Sequence, residues 1–325
     1  MIQIVTENSS CRLPCRLICL IGLLLLAIPA WSEENSVHAR LATSSLLLDA
    51  QRIEQTLVAV GEWGHILISE DNGNHWQQAL VPARAILTGV HFVDRQHGWA
   101  VGHDQVILRT LDGGQSWQLV YENPDAEAPL LDVYFLDQRH GYAIGAYGAF
   151  LETFDSGESW QSRRIDEDDR HLNQIISAAG HLYIAAESGT FYRSDDAGQT
   201  WLSLTPPYNG SFFGCLPLDA DNLLLFGLRG KLLRSRDAGE SWTVLETGTE
   251  ASLTSGMRLA DGRVVIAGLA GTLLISEDDG QSFKLRQETD RKGFSAVLQA
   301  TNGIMIGVGE FGVKALSSSK FATRQ

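Results

Sequence analysis

An eight-residue pattern recurs six times along this chain and limits what it can fold into. In its clearest copy, Ser235-Arg-Asp237-Ala-Gly239-Glu-Ser241-Trp242, a hydroxyl residue is followed at fixed spacing by Asp, Gly, a small polar residue and an aromatic. The closing aromatics are Trp76, Trp117, Trp160, Trp201, Trp242 and Phe283, at intervals of 41, 43, 41, 41 and 41 residues. Self-similarity at a fixed period of this size marks a repeat architecture, in which each unit buries its apolar surface only against its neighbours. The residue types specify a tight turn between two strands. Asp71, Asp112, Asp155, Asp196, Asp237 and Asp278 are placed to accept N–H bonds from their own loops, as short acidic side chains do in turns. Gly239 supplies a positive φ that a residue with a Cβ would resist. The aromatic turns inward over the joint between neighbouring sheets, covering about 150–250 Å2. These six acids are expected to be architectural.

A second repeat precedes the first. An apolar strand, a Gly-bounded hairpin and another strand recur from Val58-Ala-Val-Gly61-Glu-Trp-Gly64 onward, and a seventh copy, Ile306-Gly-Val-Gly309-Glu-Phe-Gly312, has no Asp motif after it. Each unit reads as four short strands; in the second, these are 87–93, 98–102, 106–110 and 117–121. Evenly spaced short strands with turn signals between them predict an all-β chain, a seven-bladed β-propeller of four-stranded antiparallel blades. A right-handed β-helix is the competing architecture, but its coils are shorter and lack a Trp-closed turn. The last unit lacks a clear fourth strand. Either Ser36–Leu41 supplies it from the other end of the chain, or Phe321–Gln325 completes the sheet; either would remove an open edge.

Residues 1–32 read as a secretory signal, and 33–325 as the propeller. Arg12 and Arg16 precede an apolar run over 17–28, and Ala30-Trp31-Ser32 places small residues at a cleavage site. The run is short for a membrane span, which needs about 20 residues; an uncleaved anchor is the alternative. A periplasmic location is expected. Cys11, Cys15 and Cys19 fall in this leader, which leaves Cys215 unable to form an internal disulfide. Cys215 lies in an apolar run and is expected to be a small core residue. The formal net charge is −14, which repels phosphate backbones and argues against a nucleic-acid partner.

Propeller topology separates the loops onto two faces. The Asp motifs join strands three and four on one face. The hairpins between strands two and three, and the connections between blades, lie on the other, and varied loops on a rigid scaffold carry function. Hairpin tips contribute Trp63, His103, Asp104, Tyr147, Glu187, Arg229 and Phe311. Three connections are unusually rich: 121–129, acidic and Pro-bounded; 163–173, with Arg170, His171 and Asn173; and 205–214, with Tyr208, Ser211 and Phe212. Aromatics and Arg are the usual hot-spot residues of protein interfaces, so this face is expected to bind a protein partner. No HExxH helix, GxSxG elbow or phosphate-cradling loop is present. No cofactor, catalytic residue or metal site is assigned; the acidic run 166–169 lacks the Gly and spacing of a calcium loop.

The Asp motif resembles the Asp-box, or BNR, repeat of sialidases and related propellers. A carbohydrate-binding or glycoside-hydrolysing propeller, with aromatics stacked on sugar rings, is therefore the alternative reading. However, Arg109, Arg193 and Arg234 recur at one repeat position, as blade residues do, rather than converging as a substrate clamp. The fuller pattern, as in Val90-His-Phe-Val-Asp-Arg-Gln-His-Gly-Trp-Ala-Val-Gly102 and Val133-Tyr-Phe-Leu-Asp-Gln-Arg-His-Gly-Tyr-Ala-Ile-Gly145, resembles the photosystem II stability/assembly factor-like family across residues 44–316. That resemblance implies an exported, non-catalytic propeller that binds a membrane protein, or its periplasmic part, and helps its complex assemble. The basic patch of the family's photosynthetic members has no evident counterpart in this acidic chain.

Overall fold

The computed structural model describes residues 35–316; the leader and Phe321–Gln325 lie outside them. Strands pair with their sequence neighbours in seven separate antiparallel sheets. Blades 1 to 7 take residues 47–78, 87–121, 130–162, 172–204, 212–245, 253–287 and 294–316. Among the described residues six sheets have four strands and the last has three. The first strands contact one another in order around the ring, and that of blade 7 returns to that of blade 1. The chain is a seven-bladed β-propeller.

The second and third strands form the core of each blade. The five-residue second strands, such as Gly98–Gly102 and Val264–Gly268, are buried throughout, as expected for strands packed on both faces. Large aromatics fill the joints between blades: Trp99 stacks on Phe135 at 3.4 Å between ring centroids, and Phe135 meets Trp160 edge-on at 5.9 Å.

Each first strand opens with a bulge at its second residue, seen as a register shift at Leu47/Asp49, Leu87/Gly89 and the equivalent positions of the other five blades. A bulge re-aims side chains. Here residues at the second and third positions reach the next blade along the wall of the central channel. Thr88, Asn173 and Thr254 donate to the carbonyls of Leu130, Phe212 and Phe294. Asp49, Asp132, Gln174 and Ser255 accept from the N–H groups of Val90, Ile175, Cys215 and Val297.

Residues 36–41 do not form the missing strand of blade 7. Ser36 exchanges two hydrogen bonds with Val81, and Gln78 bonds Ala39 and Val37, so the segment runs along the outer edge of blade 1. Ala42 then packs with Leu47, Ala59, Ala296 and Val308, across the joint of blades 1 and 7. A Cβ at Gly312, φ +78°, would lie 2.0 Å from the Thr43 carbonyl oxygen. The equivalent Gly64 and Gly230 meet the inter-blade connections in the same way, at the carbonyls of Ala83 and Thr249. The segment before blade 1 thus does for blade 7 what an inter-blade connection does elsewhere.

Candidate functional site

The Asp-box face is chemically self-contained. In the box of blade 5, Asp237 Oδ1 accepts the Ser235 hydroxyl and the Ser241 N–H, both at 2.8 Å, and Oδ2 accepts the Ser241 hydroxyl at 2.6 Å. Ser235 Oγ in turn accepts the Gly239 N–H at 2.8 Å, and Trp242 Nε1 donates to the Gly239 carbonyl at 3.0 Å. Gly239 has φ +95°. The Ser241 hydroxyl and N–H hold the Asp237 carboxyl below its ordinary value, as hydrogen bonds to the charged form do. The box carboxylates of blades 2, 3, 4 and 6 make the same three bonds. In blade 1, His75 takes the place of the hydroxyl residue.

In blades 3, 5 and 6 the residue after the box Asp is also in use. Its carbonyl receives the preceding blade: Arg109 and Trp99 donate to Ser156, Arg193 to Ala238, and Arg234 to Asp279 at 2.7 Å. These arginines are inter-blade staples, as their repeat position implied. An open cleft of about 910 Å3 lies on this face between blades 1 and 2. Its acids include Asp112, committed to its box, Asp94, which holds Gln96 and His97, and Glu54, paired with Arg95 at 3.4 Å.

On the opposite face six hairpin tips put a non-glycine residue in the left-handed region, Trp63, Asp104, Tyr147, Ser188, Arg229 and Ala270, with φ between 54° and 59°, as the residue after the box Asp does on the first face at Asn72, Ser156, Ala197, Ala238 and Asp279. That conformation costs an L-residue roughly 1–2 kcal/mol. Trp63 and Tyr147 are 65% and 62% exposed there, on tips braced from beneath. Gly148 N–H donates to the Arg170 carbonyl at 2.9 Å, and Asn123 N–H to the Asp104 carbonyl at 2.9 Å. Glu62, Glu187 and Glu310 occupy one repeat position and accept the N–H groups of Leu46, His171 and Gly293.

Two further acids face the channel. Asp49 and Asp132 border its lumen, half-buried, and desolvation raises Asp49 to about 6 and Asp132 well above the ordinary value, the Asp49 charge adding to the latter. Each accepts one backbone N–H on each oxygen, from Ala50 and Val90 and from Val133 and Ile175. His91 lies on the first strand between them, its imidazole lowered to about 4 by burial, its Nδ1 accepting the Phe135 N–H at 3.2 Å. A glycosidase pair needs one carboxyl group free to protonate the leaving oxygen. Here every carboxylate oxygen fastens backbone.

The family model described as photosynthesis system II assembly factor YCF48 matches residues 68–125 and 121–266, more than half of the chain. The chain belongs to this family. It is 38% identical over 55 residues to the photosystem II assembly protein Ycf48 of Thermosynechococcus vestitus, a stretch covering 16% of each protein. A solved YCF48 bound to a D1 peptide has a TM-score of 0.67 and 24% identity, covering 83% of this chain and 92% of that one. YCF48 from Cyanidioschyzon merolae has a TM-score of 0.67 and 15% identity, covering 86% and 97%.

Within this YCF48-family propeller the candidate side chains divide into two groups. Trp63, His103, Asp104, Tyr147 and Arg229 are exposed on tips of the hairpin face. Phe311 is half-buried against Phe294 and beneath Lys314. His171 packs edge-on to Tyr147 at 4.8 Å. Others hold the scaffold. Phe212 is 0% exposed, because the first residue of every first strand is a core position, so its ring cannot serve as a contact for a partner. Asn173 donates to Phe212 O, Tyr208 to Leu228 O, and Ser211 O receives Leu228 N–H. Arg170 is locked to Asp166 at 2.8 Å and to Asp168, and Tyr192 donates to Asp166 at 2.6 Å. The run 166–169 is ion-paired at Asp166, Asp168 and Asp169 and exposed from Glu167 to Asp169, a solvated face, and among the described residues no cluster of three or more His, Cys, Asp or Glu side chains suits a metal. Cys215 is buried and its thiol is pushed far up by burial.

Proposed function

We propose that this chain is an exported accessory factor that binds a protein partner on its hairpin face and assists the assembly of a membrane complex in the envelope. The observation that carries the reading is the contrast between the two faces. On one, the Asp-box hydrogen bonds close on themselves; on the other, Trp63 and Tyr147 stand exposed at hairpin tips whose backbone is held from beneath. Preorganised aromatics cost little entropy on binding. Membership of the YCF48 family supports an assembly role, and the D1 peptide bound to a similar propeller supports a polypeptide ligand. The leader 1–32 supports delivery to the periplasm. The acids at the box turns and the channel wall serve as structural acceptors, which supports a non-catalytic role.

Affinity capture from the native membrane fraction tests this. The full chain should retain a partner that the variant Trp63→Ala, Tyr147→Ala, Arg229→Ala loses, with both proteins melting alike. Equal capture by the two would refute the face. A glycan ligand would use the same aromatics, so a glycan array and a hydrolase panel discriminate; glycan binding lost with Trp63→Ala would favour the carbohydrate reading.

A further inference from the structure

Blade 2 breaks the repeat at one position of its hairpin tip. Gly64, Gly148, Gly189, Gly230, Gly271 and Gly312 hold that position in the other six blades, all at positive φ. In blade 2 it is Gln105, also left-handed, at φ +51°. At Gly64, Gly189, Gly230 and Gly312 a Cβ would lie 2.0–2.2 Å from a carbonyl oxygen of the segment packed against the tip. Blade 2 has room for a side chain because the connection after it is two residues longer: Leu130 follows Trp117 by 13 residues, where Leu87 follows Trp76 by 11. That connection turns aside through a 3-10 helix at Pro124–Ala126. Gln105 is only 6% exposed, yet its carboxamide makes no hydrogen bond among the described residues. A polar group buried this far normally has a partner. Gln105 instead lines a hollow of about 310 Å3 between the connections that follow blades 2 and 3, together with Ala126, Tyr147 and Tyr192.

The charged side chains of the hollow are already matched. Arg163 pairs with Glu152, Arg164 with Asp169 at 2.9 Å, and Asp166 and Asp168 both with Arg170. A charged ligand would find no free counter-charge there. A carboxamide differs: it offers an N–H donor and a carbonyl acceptor side by side, which is the complement of another amide. The volume lies at the lower end of ligand pockets, about 300–1,000 Å3, the scale of one residue with its peptide groups. We propose that the hollow is an amide-reading pocket. It takes one uncharged residue of an extended polypeptide partner, whose peptide group or Asn or Gln side chain exchanges two hydrogen bonds with Gln105, beside the ring of Tyr147. The inference rests on the hairpin face being the partner surface and names what one pocket of that face recognises.

Nuclear magnetic resonance of the 15N-labelled full chain tests it, because the side-chain NH2 signals of Gln105 are identified by their loss in Gln105→Gly. The probes are acetyl-Gly-Gln-Gly-amide, acetyl-Gly-Ala-Gly-amide and acetyl-Gly-Glu-Gly-amide. The Gln peptide should shift the Gln105 signals saturably. An equal shift from the Ala peptide would assign the main-chain amide, and a much weaker one the side-chain amide. The Glu peptide should bind about tenfold more weakly than the Gln peptide. Gln105→Gly restores the glycine of the repeat and should melt no lower than the wild type. By the peptide's own saturation-transfer signal it should bind the Gln peptide about tenfold more weakly, the loss of one or two hydrogen bonds. Gln105→Glu keeps the size, lacks the N–H donor and should lose as much. No shift at Gln105, equal affinity for the Glu peptide, or unchanged binding by both variants would overturn the proposal. So would displacement of the peptide by N-acetylglucosamine at equal concentration, which would make the site a glycan's. If Trp63→Ala, Tyr147→Ala, Arg229→Ala loses the captured partner while the Gln105 variants bind the peptides unchanged, the hairpin face stands and the amide pocket falls. If the peptides behave as expected while that triple variant keeps the partner, the pocket stands and the hairpin face falls as the partner surface.

Discussion

The channel acid Asp49 provides a quantitative test of the ring's construction. Its carboxyl is raised from 3.8 to about 6 by burial against the pull of two backbone N–H bonds. At 1.36 kcal/mol per pH unit, that interval is worth about 3 kcal/mol. The folded state binds the proton more tightly than the unfolded one, so stability falls as pH rises from about 4 to 6 and is then level. His91 opposes it: lowered to about 4 by burial, its neutral form favours the fold, and about 3 kcal/mol is gained as pH rises over nearly the same window. These two contributions nearly cancel, and Asp132, raised well above its ordinary value by burial with the Asp49 charge adding to it, contributes a further loss, so the wild-type profile does not report Asp49 alone. The difference between Asp49→Asn and wild type reads the acid together with its coupling to Asp132. Asn forfeits one N–H acceptor at any pH, a constant offset. The pH-dependent part should favour the variant by up to about 3 kcal/mol on going from pH about 4 to above 7, reduced by any screening from water in the lumen. Urea denaturation across that range measures it. A difference that stays constant with pH would show that Asp49 is solvated and that the first-strand interlock is not buried.

Other outcomes follow from the same geometry. Asp237→Ala should cost roughly 1–3 kcal/mol in urea unfolding, by stripping an acceptor from the Ser235 hydroxyl and both Ser241 donors. Arg234→Ala removes bonds to Asp279 O and Asn222 Oδ1 and should cost about 1–3 kcal/mol; Arg286→Ala, exposed on the outer strand of blade 6, should change unfolding by less than about 0.5 kcal/mol. Tyr147→Gly relieves a left-handed backbone and should leave stability unchanged or raise it by about 1 kcal/mol, while abolishing partner capture. Cys215 should resist thiol reagents in the native state and react on unfolding, because burial disfavours the thiolate.

The fold was legible because its signals are local and repeated. The box Asp and Gly, the closing aromatic and the 41-residue period each follow from one turn, and the count of seven follows from the hairpin that outlasts the last box. The staple role of Arg109, Arg193 and Arg234 was also readable from their common position. What escaped depends on register. Asp49 and Asp132 are single acids in apolar strands, where a polar residue reads as solvent-facing; only the bulge and ring closure turn them into the channel. Leu47-Leu48-Asp49 and Leu130-Leu131-Asp132 share the same place at the bulge, but the other blades have Gly89, Gln174, Gly214, Ser255 and Ala296 in the position of the acid, so no period announces it. Phe212 was drawn to the mouth by its aromatic neighbourhood, although it aligns with Leu47, Leu87 and Leu172, all core. Glu187 shares its capping position with Glu62 and Glu310. Ser36–Leu41 has no sequence mark that distinguishes an edge strap from a strand.

Hydrogen–deuterium exchange of the full chain, free and bound to its captured partner, tests the central claim most directly. Protection on binding should appear at the tips 62–64, 103–105 and 146–148 and at the connections beneath them, with the six Asp boxes unchanged. Protection confined to the Asp-box face, or to the cleft between blades 1 and 2 on that face, would contradict it.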